Sequence, residues 1–349
     1  MVDDVSVYVL QRAGRTRMKS NCCIYCKVPL DSDSVSKSDV IPDHLGNGLV
    51  LEEAVCKACN NDFNVQVEQP LKDHLSYLRA GLDLRGRRRK PVRVLADVEI
   101  QSLGKKMTVD LEHIEKKGIP PFKFRGDDGR QYYALIGNLD YIENKKAEIS
   151  IKKPNIIWQE ANDKGEVELQ VNTLPVHTMN GQLARRLASK IAFERLCQKK
   201  ANQVVLDKLY DEVRNYIMTG SSKKPVATLI YNEQIMNRNM NFPFPYHSIV
   251  LTNDMKRNRI VGVVSLFGLY YYLVRLSNYL SIRVHWDDCI VVDPQESNEY
   301  ELLIKGSSSI GIPDEAWTMS EPKLRAAGEF ALQKFKSALE SRAFIVGSE

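Results

Sequence analysis

Apolar positions recur with different periods in different stretches of this chain, and the changes of period divide it. From Pro91 to about Val171, short runs rich in β-branched and aromatic residues (PVRVLADVEI, QYYALI, AEISI, EVELQV) are broken by Gly, Asp, Asn and Pro, which predicts a mainly antiparallel region. Between 181 and 218 the period lengthens. Leu183, Leu187 and Ile191, then Leu196, and further on Val205, Leu209, Val213 and Ile217 recur at helical spacing and predict two amphipathic helices. The first of these also carries Arg185, Arg186, Lys190, Arg195, Lys199 and Lys200. Charges opposite an apolar stripe are expected to face solvent, with a nucleic-acid-facing helix as the alternative. From Val226 to Ile304 strands return as VATLIY, HSIVLT, RIVGVVSL, LYYYLVRL, CIVV and YELLI, with Phe267-Gly268 expected at a tight hairpin turn. A final helix is predicted from about Pro322 to Arg342, packing through Leu324, Phe330, Phe335 and Leu339. The fold class is therefore α+β.

Composition narrows this only a little. At 349 residues, and with about 100 to 200 residues in an ordinary domain, the chain has room for two or three domains. An apolar share of 43% and a charged share of 27% are those of a globular protein and argue against disorder. The N-terminal stretch MVDDVSVYVLQRAGRTRMK has no long apolar core, so secretion is not expected and a cytoplasmic location is. The longest apolar run, Ile260 to Val274, falls short of the roughly 18 to 20 residues of a membrane helix and reads as buried strands.

The net charge of +5 is compatible with a polyanionic partner without requiring one, and its distribution says more. Arg79, Arg85, Arg87, Arg88, Arg89, Lys90 and Arg93 lie in a stretch whose one acid is Asp83. Such a stretch is either a phosphate-binding strip, with Arg85, Arg87, Arg88, Arg89 and Lys90 as nucleic-acid contacts, or a solvated linker. On either view it separates residues 1–80, which hold the cysteine pairs, from a larger region at 94–349, with 81–93 as the basic linker.

Seven cysteines in a chain expected to stay inside the cell argue for metal ligands rather than disulfides. Cys23-x-x-Cys26 and Cys56-x-x-Cys59 form two knuckles, each able to place two thiolates on one ion, and four sulfurs close a tetrahedral structural Zn²⁺ site. Cys22 could replace Cys23, although the two-residue spacing favours Cys23. The knuckles are 29 residues apart, more than the usual finger spacing of about 15 to 20, so a sizeable insert hangs between them.

The insert and its sequel, SKSDVIPDHLGNGLVLEEAVCKACNNDFNVQVE, resemble the zinc-knuckle branch of the HNH endonucleases. The resemblance rests on Cys23, Cys26, Val40, Ile41, Pro42, Leu45, Gly46, Val55, Cys56, Cys59, Asn60, Asn61, Phe63, Val67 and Glu68, about a fifth of the chain. It implies an N-terminal ββα-metal module in which a hairpin strand presents a general base and the helix at the second knuckle presents a metal ligand. A divalent cation, Mg²⁺ or Mn²⁺, then assists water in attacking a phosphodiester. The ligand position falls on Asn60, whose amide oxygen suits a hard cation; an N-cap is the competing role. Glu68 could orient the site or ligate the metal.

At the base the chain departs from the family. Alignment of Val40-Ile41-Pro42 puts Asp39 where a histidine is expected and Ser38 where the family has an acid. Asp39 is then the base or a cation ligand, His44 is the alternative base, or the site is inactive. Backbone amides around Gly46-Asn47-Gly48 could cradle phosphate, or those glycines make a plain turn. His285-Trp286-Asp287-Asp288 is read as structural. The resemblance implies an endonuclease acting on nucleic acid, with DNA favoured over RNA and no membrane partner, and by analogy a role in bacterial defence against foreign DNA. A zinc-stabilised nucleic-acid-binding protein that has lost its base is the alternative, and a protein-binding scaffold is a third class.

Overall fold

A computed structural model describes residues 8–12, 20–46, 49–75, 79, 84, 95–100, 105–110, 119–125, 131–136, 139–152, 179, 181–200, 206–230, 245–254, 256–279, 288–294, 298–303, 317, 320, 322–323, 325–331 and 333–334. Contacts divide the chain into two units, one made of Met1–Lys90 with Leu174–Glu349 and the other of Pro91–Thr173. The sequence reading instead separates 1–80 from 94–349. The cysteine-bearing segment and the C-terminal region are one unit because their buried apolar residues belong to a common core.

The N-terminal segment contributes strand β1 (Tyr8–Arg12), the hairpin β2 (Val35–Asp39) and β3 (Val50–Cys56), and helix α1 (Lys57–Phe63). A π-helical turn, Asn64–Glu68, continues α1 into α2 (Gln69–His74). Pairing of β2 with β3 slips between Ser36, opposite Val55, and Ser38, opposite Leu51. Glu53 takes up the excess of β3 at a left-handed φ of 56°.

The unit spanning 91–173 contains two antiparallel pairs, β4 (Leu95–Ile100) with β5 (Lys105–Asp110) and β6 (Ile119–Arg125) with β7 (Gln131–Ile136), followed by helix α3 (Leu139–Lys152). The run AEISI, expected as a strand, lies inside α3. Its brief alternation is overridden by charges at helical spacing: Glu143 with Lys146, Lys145 with Glu148 and Glu148 with Lys152. Ile151, an apolar member of that run, is 83% exposed.

The C-terminal region supplies helices α4 (Gln182–Lys199) and α5 (Asp211–Thr219) and strands β8 (Ala227–Ile230), β9 (His247–Asp254), β10 (Arg259–Leu266), β11 (Tyr270–Arg275), β12 (Cys289–Asp293) and β13 (Asn298–Leu303). With β1 they form a seven-stranded antiparallel sheet in the order β1-β13-β12-β9-β10-β11-β8. The expected hairpin joins β10 to β11, with Phe267 and Gly268 both at positive φ, the turn geometry that matches strand twist. Continuous apolar runs arise because both sheet faces are buried. Tyr270, Tyr272 and Val274 join the main core, whereas Tyr271 and Leu273 join a second one against Trp317 and Phe330. Phe330 belongs to the expected final helix, of which 325–331 are helical; Leu324, Phe335 and Leu339 lie outside the described residues.

Helix α4 packs on β8 to β11 and on the helical N-terminal elements. Ala192 comes so close to the sheet that a Cβ added at Gly262 would sit 2.7 Å from its methyl group. Hence the expectation of solvent-facing charges on this helix fails for Arg186, Lys190 and Arg195 and holds for Lys199. Arg186, Lys190, Glu194, Arg195 and Gln198 are all buried, because α4 is covered on more than its apolar stripe.

Candidate functional site

The first knuckle is a tight turn in which the Cys23 amide donates to the Val28 carbonyl (2.8 Å) and the Lys27 amide to the Cys23 carbonyl (2.9 Å), with Lys27 at a φ of 61°. The second straddles a strand end and a helix start. Cys56 closes β3 and caps α1, its sulfur accepting from the Cys59 amide at 3.4 Å, while the Cys56 amide donates to the Cys23 sulfur at 3.4 Å. The sulfurs of Cys23, Cys26, Cys56 and Cys59 lie within 4.8 Å of one another, and Cys26 Sγ is 3.8 Å from Cys56 Sγ. Metal–sulfur bonds of about 2.3 Å in a tetrahedron require sulfur–sulfur edges of about 3.8 Å, so the donor set fits such an ion. The Cys23 thiol is pulled down to about 4, chiefly by its hydrogen bond from Cys59. Cys22 bridges Pro29 through its backbone and stands outside the cluster.

Asn60 is tied to the strand that Asp39 ends, at positions before Asp39 itself. Asn60 sits within the first turns of α1, and its Nδ2 donates to Ser36 Oγ (2.9 Å) and to the Lys37 carbonyl (3.1 Å). A carbonyl can only accept, so the amide nitrogen faces β2 and the amide oxygen turns away from Lys37. The N-cap role weighed for Asn60 belongs to Cys56. Asp39 ends β2, two residues beyond Lys37, and its carbonyl accepts from Lys190 Nζ at 2.5 Å.

Glu68 lies on the π-helical turn, and its Oε1 is 3.5 Å from Lys190 Nζ. Burial raises its carboxyl; Lys190 opposes, and the negative charges of Glu194 and Asp39 add to the rise.

His44 occupies a 3₁₀ turn (Asp43–Leu45), and its carbonyl accepts from Arg79 Nε at 2.7 Å. Its ring Nε2 is buried. Burial, with the charges of Arg79, Lys72 and Lys190, pushes the imidazole down to about 3, so it is neutral at physiological pH. From β9, His247 holds the same turn: Nε2 lies 2.9 Å from the Leu45 carbonyl and Nδ1 accepts from the Phe267 amide at 3.1 Å.

Arg79, counted with the basic strip, is buried against this turn, whereas Arg85, Arg87, Arg88, Arg89 and Lys90 lie outside the described residues. Gly46 has a φ of 80°, and a Cβ there would fall 2.0 Å from the Pro294 carbonyl oxygen, so it is required by packing; Asn47 and Gly48 lie outside the described residues, as do His285 to Asp287.

Sequence reasoning missed a buried polar cluster behind β2. Glu194 of α4 accepts through Oε1 from the Tyr25 hydroxyl and from the Ser38 hydroxyl, each at 2.7 Å, and through Oε2 from Lys190 Nζ at 3.2 Å. Lys190 is 2% exposed and Glu194 0%. Burial alone would lower the Lys190 ammonium, but Glu194, Glu68 and Asp39 outweigh it and hold it above its ordinary value. Burial raises the Glu194 carboxyl, against the pull of Lys190, Tyr25 and Ser38. The available signal was a Lys-x-x-x-Glu pair set among Ala188, Ile191, Ala192 and Phe193.

Among the described residues no helix is long and apolar enough to cross a membrane. Comparison with curated proteins and with solved structures returns no match. A family model does match, described as HNH endonuclease and covering residues 23–76, from the first cluster cysteine to beyond α2. The matched segment holds the β2–β3 hairpin, α1 and the four converging thiols, so the likeness to HNH endonucleases is confined to this part of the chain.

Proposed function

We propose that the chain is a metal-dependent endonuclease that hydrolyses phosphodiester bonds in DNA, with a structural Zn²⁺ in the four-cysteine cluster and Asp39 and Asn60 as its working residues. The observation that carries the reading is the tie between Asn60 and Ser36 and Lys37, which holds a helix-borne amide against the same strand that ends in Asp39 inside the HNH-matched segment. Asp39, Asn60 and Glu68 offer hard oxygen donors suited to Mg²⁺ or Mn²⁺. When bound, that cation supplies charge neutralisation at the scissile phosphate and the leaving oxygen.

The chain's own residues divide the remaining work. Asn60 orients its amide oxygen through its two bonds to β2. Asp39, anchored through its carbonyl, contributes the carboxylate that ligates or accepts a proton from water. His44 is less suited to the proton, because burial and the cations around it disfavour its charged form. Lys72 and Arg79 make its surroundings positive, favourable to phosphate. The basic stretch Arg85 to Lys90 would add backbone contacts, and a cytoplasmic role in defence against foreign DNA fits the reading by analogy.

The test is nicking of supercoiled plasmid by the full chain with Mg²⁺, Mn²⁺ or EDTA. Nicking is expected with either metal and not with EDTA, with losses of roughly 100-fold or more in Asp39→Ala and Asn60→Ala and a smaller one in His44→Ala. Salt-sensitive DNA binding without cleavage would instead establish a degenerate binding protein, the reading favoured by the missing histidine at position 39.

A further inference from the structure

Helix α4 reaches the back of the HNH-matched frame with two buried titratable groups, Lys190 and Glu194. Lys190 has three acceptors from three elements: the Asp39 carbonyl at the end of β2 (2.5 Å), Glu68 on the π-helical turn (3.5 Å) and Glu194 one helical turn along α4 (3.2 Å). Glu194 passes the connection on, through Ser38 to the residue before Asp39 and through Tyr25 to the first knuckle. A fully buried ammonium is retained only where its partners hold it closely, since desolvation opposes it. Here those partners are the main chain of Asp39 and a carboxylate beside it.

We infer that Lys190 is a positioning residue of the phosphodiesterase site, fixing the end of β2 so that Asp39 keeps its place relative to Asn60, and that α4 is therefore a working part of the HNH centre. The inference rests on the nuclease reading and deepens it. Lys190 offers a cation no lone pair and is not a member of the four-sulfur cluster. It acts through the carbonyl of Asp39 and through Glu68, as a group behind a ligand sets that ligand's direction.

The test uses the full chain with four variants: Lys190→Met, Lys190→Arg, Lys190→Met/Glu194→Gln and Lys190→Met/Asp39→Ala. Zinc content and melting temperature establish that each is folded. Should Lys190→Met fail to fold with Glu194 left unpaired, the variant that also neutralises Glu194 takes its place. Turnover in Lys190→Met is expected to fall roughly 10- to 100-fold, with KM for plasmid within about twofold and partial recovery in Lys190→Arg. In the Asp39→Ala background the same change should cost almost nothing, because both act through one group. Wild-type turnover in a folded Lys190→Met, or losses that multiply in the Asp39→Ala background, overturns the inference.

Mn²⁺ binding followed by electron paramagnetic resonance separates the two readings. A chain that binds Mn²⁺ without cutting sinks the nuclease reading, and positioning is then read from Mn²⁺ affinity, expected to change in Lys190→Met; unchanged affinity overturns it. A chain that neither cuts nor binds Mn²⁺ overturns both.

Discussion

His247 shows how one side chain can hold a turn at the expense of stability in acid. Its two ring nitrogens are committed to the Leu45 carbonyl and the Phe267 amide, which only the neutral form can serve. Burial, against weaker opposing contributions from the Leu45 carbonyl and Asp293, lowers it from 6.5 to about 4. Below pH 6.5 the unfolded chain takes up this proton and the folded chain does not, so stability is lost as pH falls towards 4. The loss should approach roughly 3 kcal/mol over that window, read from urea denaturation, and a His247→Gln variant should lose the corresponding slope; an identical slope in the variant would refute the assignment. Gly46 makes a second residue-scale case. At a φ of 80° and against the Pro294 carbonyl, Gly46→Ala combines left-handed strain with a backbone clash, and it should cost at least about 1 to 3 kcal/mol by chemical denaturation. The sequence marked that glycine as a turn or a phosphate cradle, and it could not show Pro294, which arrives from the far end of the chain.

At the scale of elements, the four-cysteine cluster spans the hairpin and α1. Cys56 is at once the last residue of β3, the cap of α1 and a member of the cluster. Cys56→Ser should therefore lose bound zinc and lower the melting temperature of the unit, read together by metal analysis and calorimetry. Full zinc content and an unchanged transition would remove the metal from the account. This element was legible in advance, because two C-x-x-C spacings constrain the backbone locally whatever surrounds them. Helix α4 was legible only in part. Its apolar positions Leu187, Ile191 and Leu196 are buried as expected, but of the charges assigned to solvent Arg186, Lys190 and Arg195 are buried and Lys199 is exposed. Periodicity reports which residues can face a core; it does not report how many cores a helix touches.

At the scale of the molecule, the HNH segment and the C-terminal sheet form one compact unit, with Tyr25 against Phe193 at 5.9 Å between ring centres and Lys190 over Phe63 at 5.6 Å. Residues 1–80 expressed alone with zinc should give a poorly dispersed amide spectrum, since Tyr25, Ser38 and Phe63 lose their covering, whereas the full chain should protect these amides from exchange. A well-dispersed spectrum with protected amides from that fragment would show that α4 is dispensable. The chain's sequence by itself determined the four thiols and the strands β8 to β13, because ligand spacing and apolar runs act over a few residues, while the hairpin-helix order of the N-terminal segment was legible only through the family resemblance. Only the tertiary structure decided that Glu194 meets Ser38 across 156 residues, that Lys190 anchors Asp39, and that His44 is held neutral. Whether a charge is solvated or buried depends on what the rest of the chain packs against it, and that is not written in its immediate neighbours.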